Sequence, residues 1–203
     1  MKKLALTDFA KYRYPSALEL SPDSRYLTFA LKEVDREGDG YRWNLWLYDL
    51  ERRESRQITQ GDDQRKAVWE DNTHILYKTT EPDEALRARG FEEEWTVYHR
   101  LNVCTGEDRE AFRLPMSVSG LWKMDEGRYV FTGETHLDRP NLLELTGEAL
   151  EKELVRRQQT RGYKVLTELP LCENGVGMFN QTRNTLFLLS LIHISEPTRR
   201  RGI

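Results

Sequence analysis

The feature that most constrains this chain is a loose internal repeat in which a polar turn leads into a short apolar strand. Ser21-Pro22-Asp23-Ser24-Arg25 precedes Tyr26-Leu27-Thr28-Phe29-Ala30, and Trp69-Glu70-Asp71-Asn72-Thr73 precedes His74-Ile75-Leu76-Tyr77. Met124-Asp125-Glu126-Gly127-Arg128 precedes Tyr129-Val130-Phe131, and Asn180-Gln181-Thr182-Arg183-Asn184 precedes Thr185-Leu186-Phe187-Leu188. In each case residues that favour tight turns hand over to residues that favour a pleated, buried strand. With Arg25, Thr73, Arg128 and Thr185 taken as equivalent, the intervals are 48, 55 and 57 residues. A unit that recurs in this way cannot bury its apolar face alone and must stack on its neighbours.

The second half of the unit is a strand, a turn and a return strand. Asn44 to Leu50 is followed by a turn at Glu51 to Glu54 and a return strand at Ser55 to Thr59. Trp95 to Val103 is followed by a turn around Thr105-Gly106-Glu107-Asp108 and a return strand at Arg109 to Leu114. Asp49 and Asn102 occupy the same place, where a polar side chain accepts hydrogen bonds from the amides of the turn. A third copy is expected to start at Asn141-Leu142-Leu143-Glu144-Leu145 and return at Tyr163 to Leu166, and Thr185 to Leu188 is expected to open a fourth.

Two segments break this rhythm. Glu81 to Glu94 contains Ala85-Leu86-Arg87-Ala88, which suggests a short helix. Gly147 to Gly162 carries Leu150, Leu154 and Val155 at helical spacing, expected to pack as an apolar stripe on the blade. Four-stranded units interrupted by short helical insertions predict an all-β fold, an incomplete β-propeller of about three and a half blades. A ring cut short in this way leaves a sheet face and strand edges open, which predicts poor solubility or partial disorder after about Arg161.

Lys plus Arg (31) nearly cancel Asp plus Glu (34), and a net charge of -3 offers no one-signed field. Nucleic acid and acidic membranes are therefore not expected partners. Cys104 and Cys172 lie 68 residues apart, which matches no zinc or redox spacing. The two are read as buried or half-buried thiols of a cytoplasmic protein, with a disulfide between them as the alternative. Leu4-Ala5-Leu6 is broken at once by Thr7-Asp8, short of the ~7–15 apolar residues of a secretion signal. Leu186 to Ile194 falls short of the ~20 residues that span a bilayer.

The end of the chain has a separate origin. The eleven residues Leu189-Ser190-Leu191-Ile192-His193-Ile194-Ser195-Glu196-Pro197-Thr198-Arg199 are identical to the translation of a transposon adapter used to prepare sequencing libraries. Residues 1–188 are expected to form the partial propeller, and residues 189–203 to be an adapter-derived tail. His193, Ser195 and Arg199-Arg200-Arg201 accordingly carry no functional weight.

The opening Leu6-Thr7-Asp8-Phe9-Ala10-Lys11-Tyr12-Arg13 leads through Leu18-Glu19-Leu20 into Ser21-Pro22-Asp23. Asn44 to Leu50 follows, with Arg56-Gln57-Ile58-Thr59 closing the blade. Further on come the Trp95 to Val103 strand and Glu173-Asn174-Gly175-Val176-Gly177. In this order the segments resemble the N-terminal propeller of prolyl oligopeptidase family serine peptidases, in their acylaminoacyl-peptidase-like branch. The resemblance implies a C-terminal α/β-hydrolase domain with a Ser-Asp-His triad, to which the propeller admits only short peptides. It implies for this chain a non-catalytic piece of that enzyme, without cofactor or metal. The alternative is a non-catalytic, TolB-like propeller that serves protein interaction.

The nucleophile of such a hydrolase sits in a Gly-x-Ser-x-Gly elbow. Ser119 has Ser117 two residues before it and Leu121 two after, and no other serine has the required glycines. No catalytic residue is therefore assigned. His74, His99 and His136 lie far apart in sequence and are expected to be structural. Glu92-Glu93-Glu94 could bind the free amino terminus of a peptide, although a solvated charge run is the default. Gly175-Val176-Gly177 lacks the third glycine of a dinucleotide loop and is read as a turn or bulge.

Overall fold

The computed structural model describes residues 5–35, 38, 40–162, 171–173, 177–179 and 182–191. The chain divides into two compact units, Met1–Thr80 with Val97–Arg113, and Glu81–Thr96 with Leu114–Ile203.

After a 3-10 turn at Leu6–Lys11, the first sheet runs β1 (Tyr14–Leu20), β2 (Tyr26–Asp35), β3 (Gly40–Asp49) and β4 (Glu54–Gln57), in the spatial order β1-β2-β3-β4. The predicted turns make its hairpins. Ser21 Oγ donates to Asp23 Oδ1 at 2.7 Å, and Asp23 Oδ1 accepts the Arg25 amide at 3.1 Å. Ser24 adopts φ 60 to close the loop. At the next corner Asp49 Oδ1 accepts the amides of Glu51 and Arg52, both at 3.0 Å. Pro15 is accommodated because β1 is an edge strand, where a missing donor costs little. A bulge between Ser16 and Glu19, with Ala17 at φ 50, bends that edge. Beyond β4 the chain stays on β3, where Thr59 Oγ1 accepts the Leu45 amide at 2.8 Å and Ile58 N donates to Leu45 O at 2.8 Å.

The second sheet repeats the plan with β5 (Ala67–Trp69), β6 (His74–Pro82), β7 (Glu94–Asn102) and β8 (Asp108–Leu114), again in sequence order. Trp69, read from sequence as a turn residue, is the last residue of β5. Asp71 accepts the amides of Thr73 and His74 at 2.7 and 2.8 Å, repeating the role of Asp23. Asn102 Oδ1 accepts those of Cys104 and Thr105 at 2.9 and 3.0 Å, the same pair of bonds that Asp49 makes. The predicted equivalence of Asp49 and Asn102 therefore holds bond for bond.

Each strand pair β2/β3 and β6/β7 presents two faces. Leu27, Phe29, Trp46 and Tyr48 share the leading face of the first sheet, and Thr28, Ala30, Leu45 and Leu47 its trailing face. The trailing face packs on the leading face of the second sheet: Ala30, Leu45 and Leu47 join Ala67, Trp69, Ile75, Tyr77, Leu101 and Val103 in one buried cluster. Leu45 and Ile75 are completely buried, and each such side chain contributes about 1.5–3 kcal/mol. β1 and β5 also touch, since Trp69 Nε1 donates to Glu19 O at 3.1 Å.

The third sheet has the order β13-β10-β9, formed by β9 (Val118–Asp125), β10 (Arg128–His136) and β13 (Thr182–Ser190); β11 (Leu171–Glu173) and β12 (Gly177–Phe179) make a separate ribbon. Here two expectations are corrected. Asn141 to Leu145 is no strand but a 3-10 turn at Leu142–Glu144, because Asn141 Oδ1 caps it by accepting the Leu143 amide at 3.0 Å. The strand around Thr185 to Leu188 does not open a new sheet. It pairs with β10 in unbroken register from Thr182↔His136 to Ser190↔Arg128, and so supplies the third strand of the third sheet. The register confirms the place: a stacked ring pair spans the second and third strands of all three sheets. The pairs are Phe29–Trp46 at 6.5 Å, Tyr77–His99 at 5.4 Å and Phe131–Phe187 at 5.0 Å. β13 includes Leu189 and Ser190 of the adapter-like stretch, and a backbone ladder makes no demand on side-chain identity there. The expected return strand at 163–166 and residues 192–203 lie outside the described residues.

Candidate functional site

The two insertions, which sequence reading treated separately, form one structure. The first holds helix α1 (Glu84–Arg87), capped by Asp83, whose Oδ1 accepts the Leu86 amide at 2.9 Å and whose Oδ2 accepts Trp95 Nε1 at 3.2 Å. The second holds helix α2 (Gly147–Gln159). Leu154 of α2 does not pack on a strand as expected; it is buried with Leu86 and Leu142, flanked by Phe91, Leu143, Leu145 and Leu150. Val155, placed in the same stripe from its spacing, is 52% exposed. The charge of α2 faces the first insertion too. Arg89 grips Glu151 through both guanidinium nitrogens at 2.8 and 2.9 Å. Arg157 reaches Glu93 at 2.5 Å and Glu153 at 3.0 Å, and Arg156 pairs with Glu153 at 2.7 Å. The Arg156 guanidinium, joined by Arg157, holds the Glu153 carboxyl below its ordinary value despite burial.

This arrangement decides the fate of Glu92-Glu93-Glu94. Glu93 is committed to Arg157, while Glu92 and Glu94 are exposed to solvent. The middle carboxylate of the candidate amine site is thus already neutralised by a cation of the same chain.

The histidines are not brought together. His74 bridges two turns: Asn102 Nδ2 donates to its Nε2 at 3.2 Å, and its Nδ1 lies 2.9 Å from Asp71 Oδ2. Burial pushes the Asp71 carboxyl up, but the Thr73 amide, His74 and the Thr73 hydroxyl outweigh it and bring it to about 2. His99 stacks on Tyr77 and sits 3.4 Å from Asp108 Oδ1, while the Tyr77 hydroxyl donates to Asp108 Oδ2. Burial, and then the bond to Asp108, push the Tyr77 hydroxyl above its ordinary value. His136 lies 3.4 Å from Arg139 Nη2, and burial together with that cation lowers its pKa. Ser119 Oγ is bonded across the sheet to Thr132 Oγ1 at 2.7 Å, a strand contact rather than a nucleophile's setting. Residues 174–176, with the Gly175-Val176 pair, lie outside the described residues; Gly177 opens β12.

A concavity that sequence reading missed lies in the first unit, about 410 Å³, lined by Arg25, Tyr26, Asp49, Arg52, Arg56 and Cys104. Its charges are largely satisfied internally: Arg52 faces Asp49 at 3.9 Å, Arg25 faces Glu51 at 3.6 Å, and Arg56 donates to Val103 O. Contrary to the expected burial, the Cys104 thiol is free and exposed, because it sits in the β7–β8 turn, 4.0 Å from the Tyr26 hydroxyl. Among the described residues no three His, Cys, Asp or Glu side chains gather as metal ligands would. No helix among them is long and apolar enough to cross a membrane.

No family model matches the chain, and no curated protein matches it. Solved structures do. The acylaminoacyl peptidase of Pyrococcus horikoshii shares 12% identity at a TM-score of 0.62, over 96% of this chain and 26% of its own. An acylaminoacyl peptidase in complex with Z-Gly-Gly-Phe-chloromethyl ketone shares 11% at 0.63, over 97% and 26%. AtxE2 isopeptidase in its apo form shares 13% at 0.54, over 94% and 30%. This chain therefore spans about a quarter of the acylaminoacyl peptidases it resembles. Together with successive four-stranded sheets stacked face to face, the likeness establishes the fold: the chain is an incomplete β-propeller built like a stretch of those peptidases.

Proposed function

We propose that the chain is the leading part of the propeller of a cytoplasmic serine peptidase, restricting entry of short peptides to an α/β-hydrolase domain encoded further along the parent gene. The observation that carries this reading is the coverage: nearly all of this chain matches about a quarter of two acylaminoacyl peptidase structures. On this reading the chain by itself hydrolyses no peptide, and residues 189–203 derive from adapter sequence. Peptides are substrates of the parent enzyme only.

The test is to amplify the source locus across codon 188 and sequence it without transposon-based library preparation. The expected result is a frame that continues through further blades into a domain with a Gly-x-Ser-x-Gly elbow. A frame that encodes Leu191 to Ile203 and then stops removes both the adapter assignment and the peptidase reading. A frame that closes the propeller and stops without a hydrolase domain establishes the interaction propeller instead.

A further inference from the structure

The concavity of about 410 Å³ in the first unit has the size of a small-molecule site, typically ~300–1,000 Å³. It lies where the β3–β4 corner meets the β7–β8 corner, and all of its lining residues belong to that unit. Leu47 and Val103, both buried, give it an apolar base. Its charges are not all matched. Arg25 faces Glu51 and Arg52 faces Asp49, but Arg56 donates to the carbonyl of Val103, which accepts a hydrogen bond and leaves the positive charge unopposed. Glu54 stands two positions before Arg56 on β4, so the two share a side of the strand. Glu54 pairs with no cation among the described residues, and both side chains are exposed. One guanidinium and one carboxylate are thus left to meet charges from solution.

A sulfur lies in the same cavity. The carbonyl that anchors Arg56 belongs to the residue before Cys104, which holds the guanidinium close to the thiol. Cys104 is exposed, and its thiol points to the Tyr26 hydroxyl at 4.0 Å. Burial, and then this contact, push the Tyr26 hydroxyl above its ordinary value, so it stays protonated and able to donate to an ionised sulfur.

We propose that this cavity is a site of thiol–disulfide exchange, at which Cys104 takes up the disulfide of an amino-acid or short-peptide thiol, its carboxylate on Arg56 and its ammonium on Glu54. The Cys104 thiolate attacks one sulfur of the ligand, a new S–S bond forms, and the ligand's own S–S bond breaks. The other half leaves as a thiolate and takes up the proton that Cys104 gave to solvent. Cys104 is oxidised, the released half is reduced, and a second thiol reverses the step. The inference goes beyond the peptidase reading and does not depend on it.

The experiment reacts the full chain with cystine, with cystine acetylated on both amines, with cystine dimethyl ester and with the neutral disulfide of 2-mercaptoethanol. Each rate is divided by that of a small neutral thiol with the same disulfide, and peptide mass mapping reads the adduct at Cys104 separately from Cys172. Cystine should be preferred over the neutral disulfide by about tenfold, the lower end of guidance by a charged cleft, and salt should erode the preference. Arg56→Gln should slow cystine and the acetylated form but not the ester, and Arg56→Lys should restore both. Glu54→Gln should slow cystine and the ester but not the acetylated form. The neutral disulfide should react alike with every variant, which shows that the turn around Cys104 is intact. Equal normalised rates for all four disulfides overturn the proposal. So does an adduct absent from Cys104, or a preference for cystine that survives both Arg56→Gln and Glu54→Gln.

Discussion

In the first two sheets, cohesion comes from a continuous apolar cluster running from Ala30 and Leu45 to Ile75 and Val103, closed at its corners by side chains that cap turns. The two insertions meet differently. Three buried leucines, Leu86, Leu142 and Leu154, make their interior, and guanidinium–carboxylate pairs between residues some 60 positions apart tie the rest. The first region depends on area removed from water, which salt barely screens. The second depends on charges at its rim, which salt does screen. Two ways of joining distant segments therefore coexist in one chain, and they should respond to different perturbations.

The sharpest test of this contrast is Leu45→Ala. It removes a fully buried side chain between two sheets and should cost about 2–5 kcal/mol in urea unfolding, with little dependence on salt. A cost below about 1 kcal/mol would mean that the sheets are not packed as described. Arg157→Ala comes next. It leaves Glu93 and Glu153 facing each other without their shared cation and should cost about 2 kcal/mol. The loss should appear as local exchange of α2 amides, while the first sheet keeps its protection. Arg89→Ala, at a solvent-exposed pair, should do far less; equal effects from the two arginines would erase the distinction between core and rim. Asn102→Ala removes two turn bonds and the bond to His74, and should cost about 1 kcal/mol, felt at the β7–β8 corner and at the neighbouring turn of Asp71 and His74.

The smallest effect concerns acid. The Asp71 carboxyl is depressed from 3.8 to about 2, so the stability it lends is complete above the unfolded value. It is lost as pH falls through the folded value. Asp71→Asn should lower stability at neutral pH and flatten the acid limb, the difference from the unaltered chain shrinking as pH falls from 3.8 to about 2. An unchanged acid limb would show that the carboxylate is not engaged by its turn.

Much of this frame was legible in the residues. Turn chemistry is local, so Asp23, Asp49, Asp71 and Asn102 announced their corners through side chains that bond amides two or three positions away. The short helix at Leu86 was visible in its helix-favouring run and the longer one at Leu154 in its apolar spacing, for the same reason. Pairing across long insertions was not. Nothing in Thr185 to Leu188 reveals that its partner is β10 rather than a following strand, because a nine-residue ladder is specified by geometry between partners 46–62 positions apart. Asn141 to Leu145 has a strand's composition, but the asparagine caps a 3-10 turn instead. The contact between the insertions was likewise hidden, since Glu93 and Arg157 each look like an ordinary surface charge until the fold brings them within 2.5 Å.

The wide separation of the insertions also has a consequence in time. Arg89 leaves the ribosome 62 residues ahead of Glu151, which at about 5–20 residues per second is a wait of about 3–12 seconds. During that interval Leu86 has neither Leu142 nor Leu154 to bury against. The nascent chain therefore holds Leu86 uncovered on a one-turn helix until Leu142 and Leu154 arrive, a single apolar side chain of the kind that cotranslational chaperones shield.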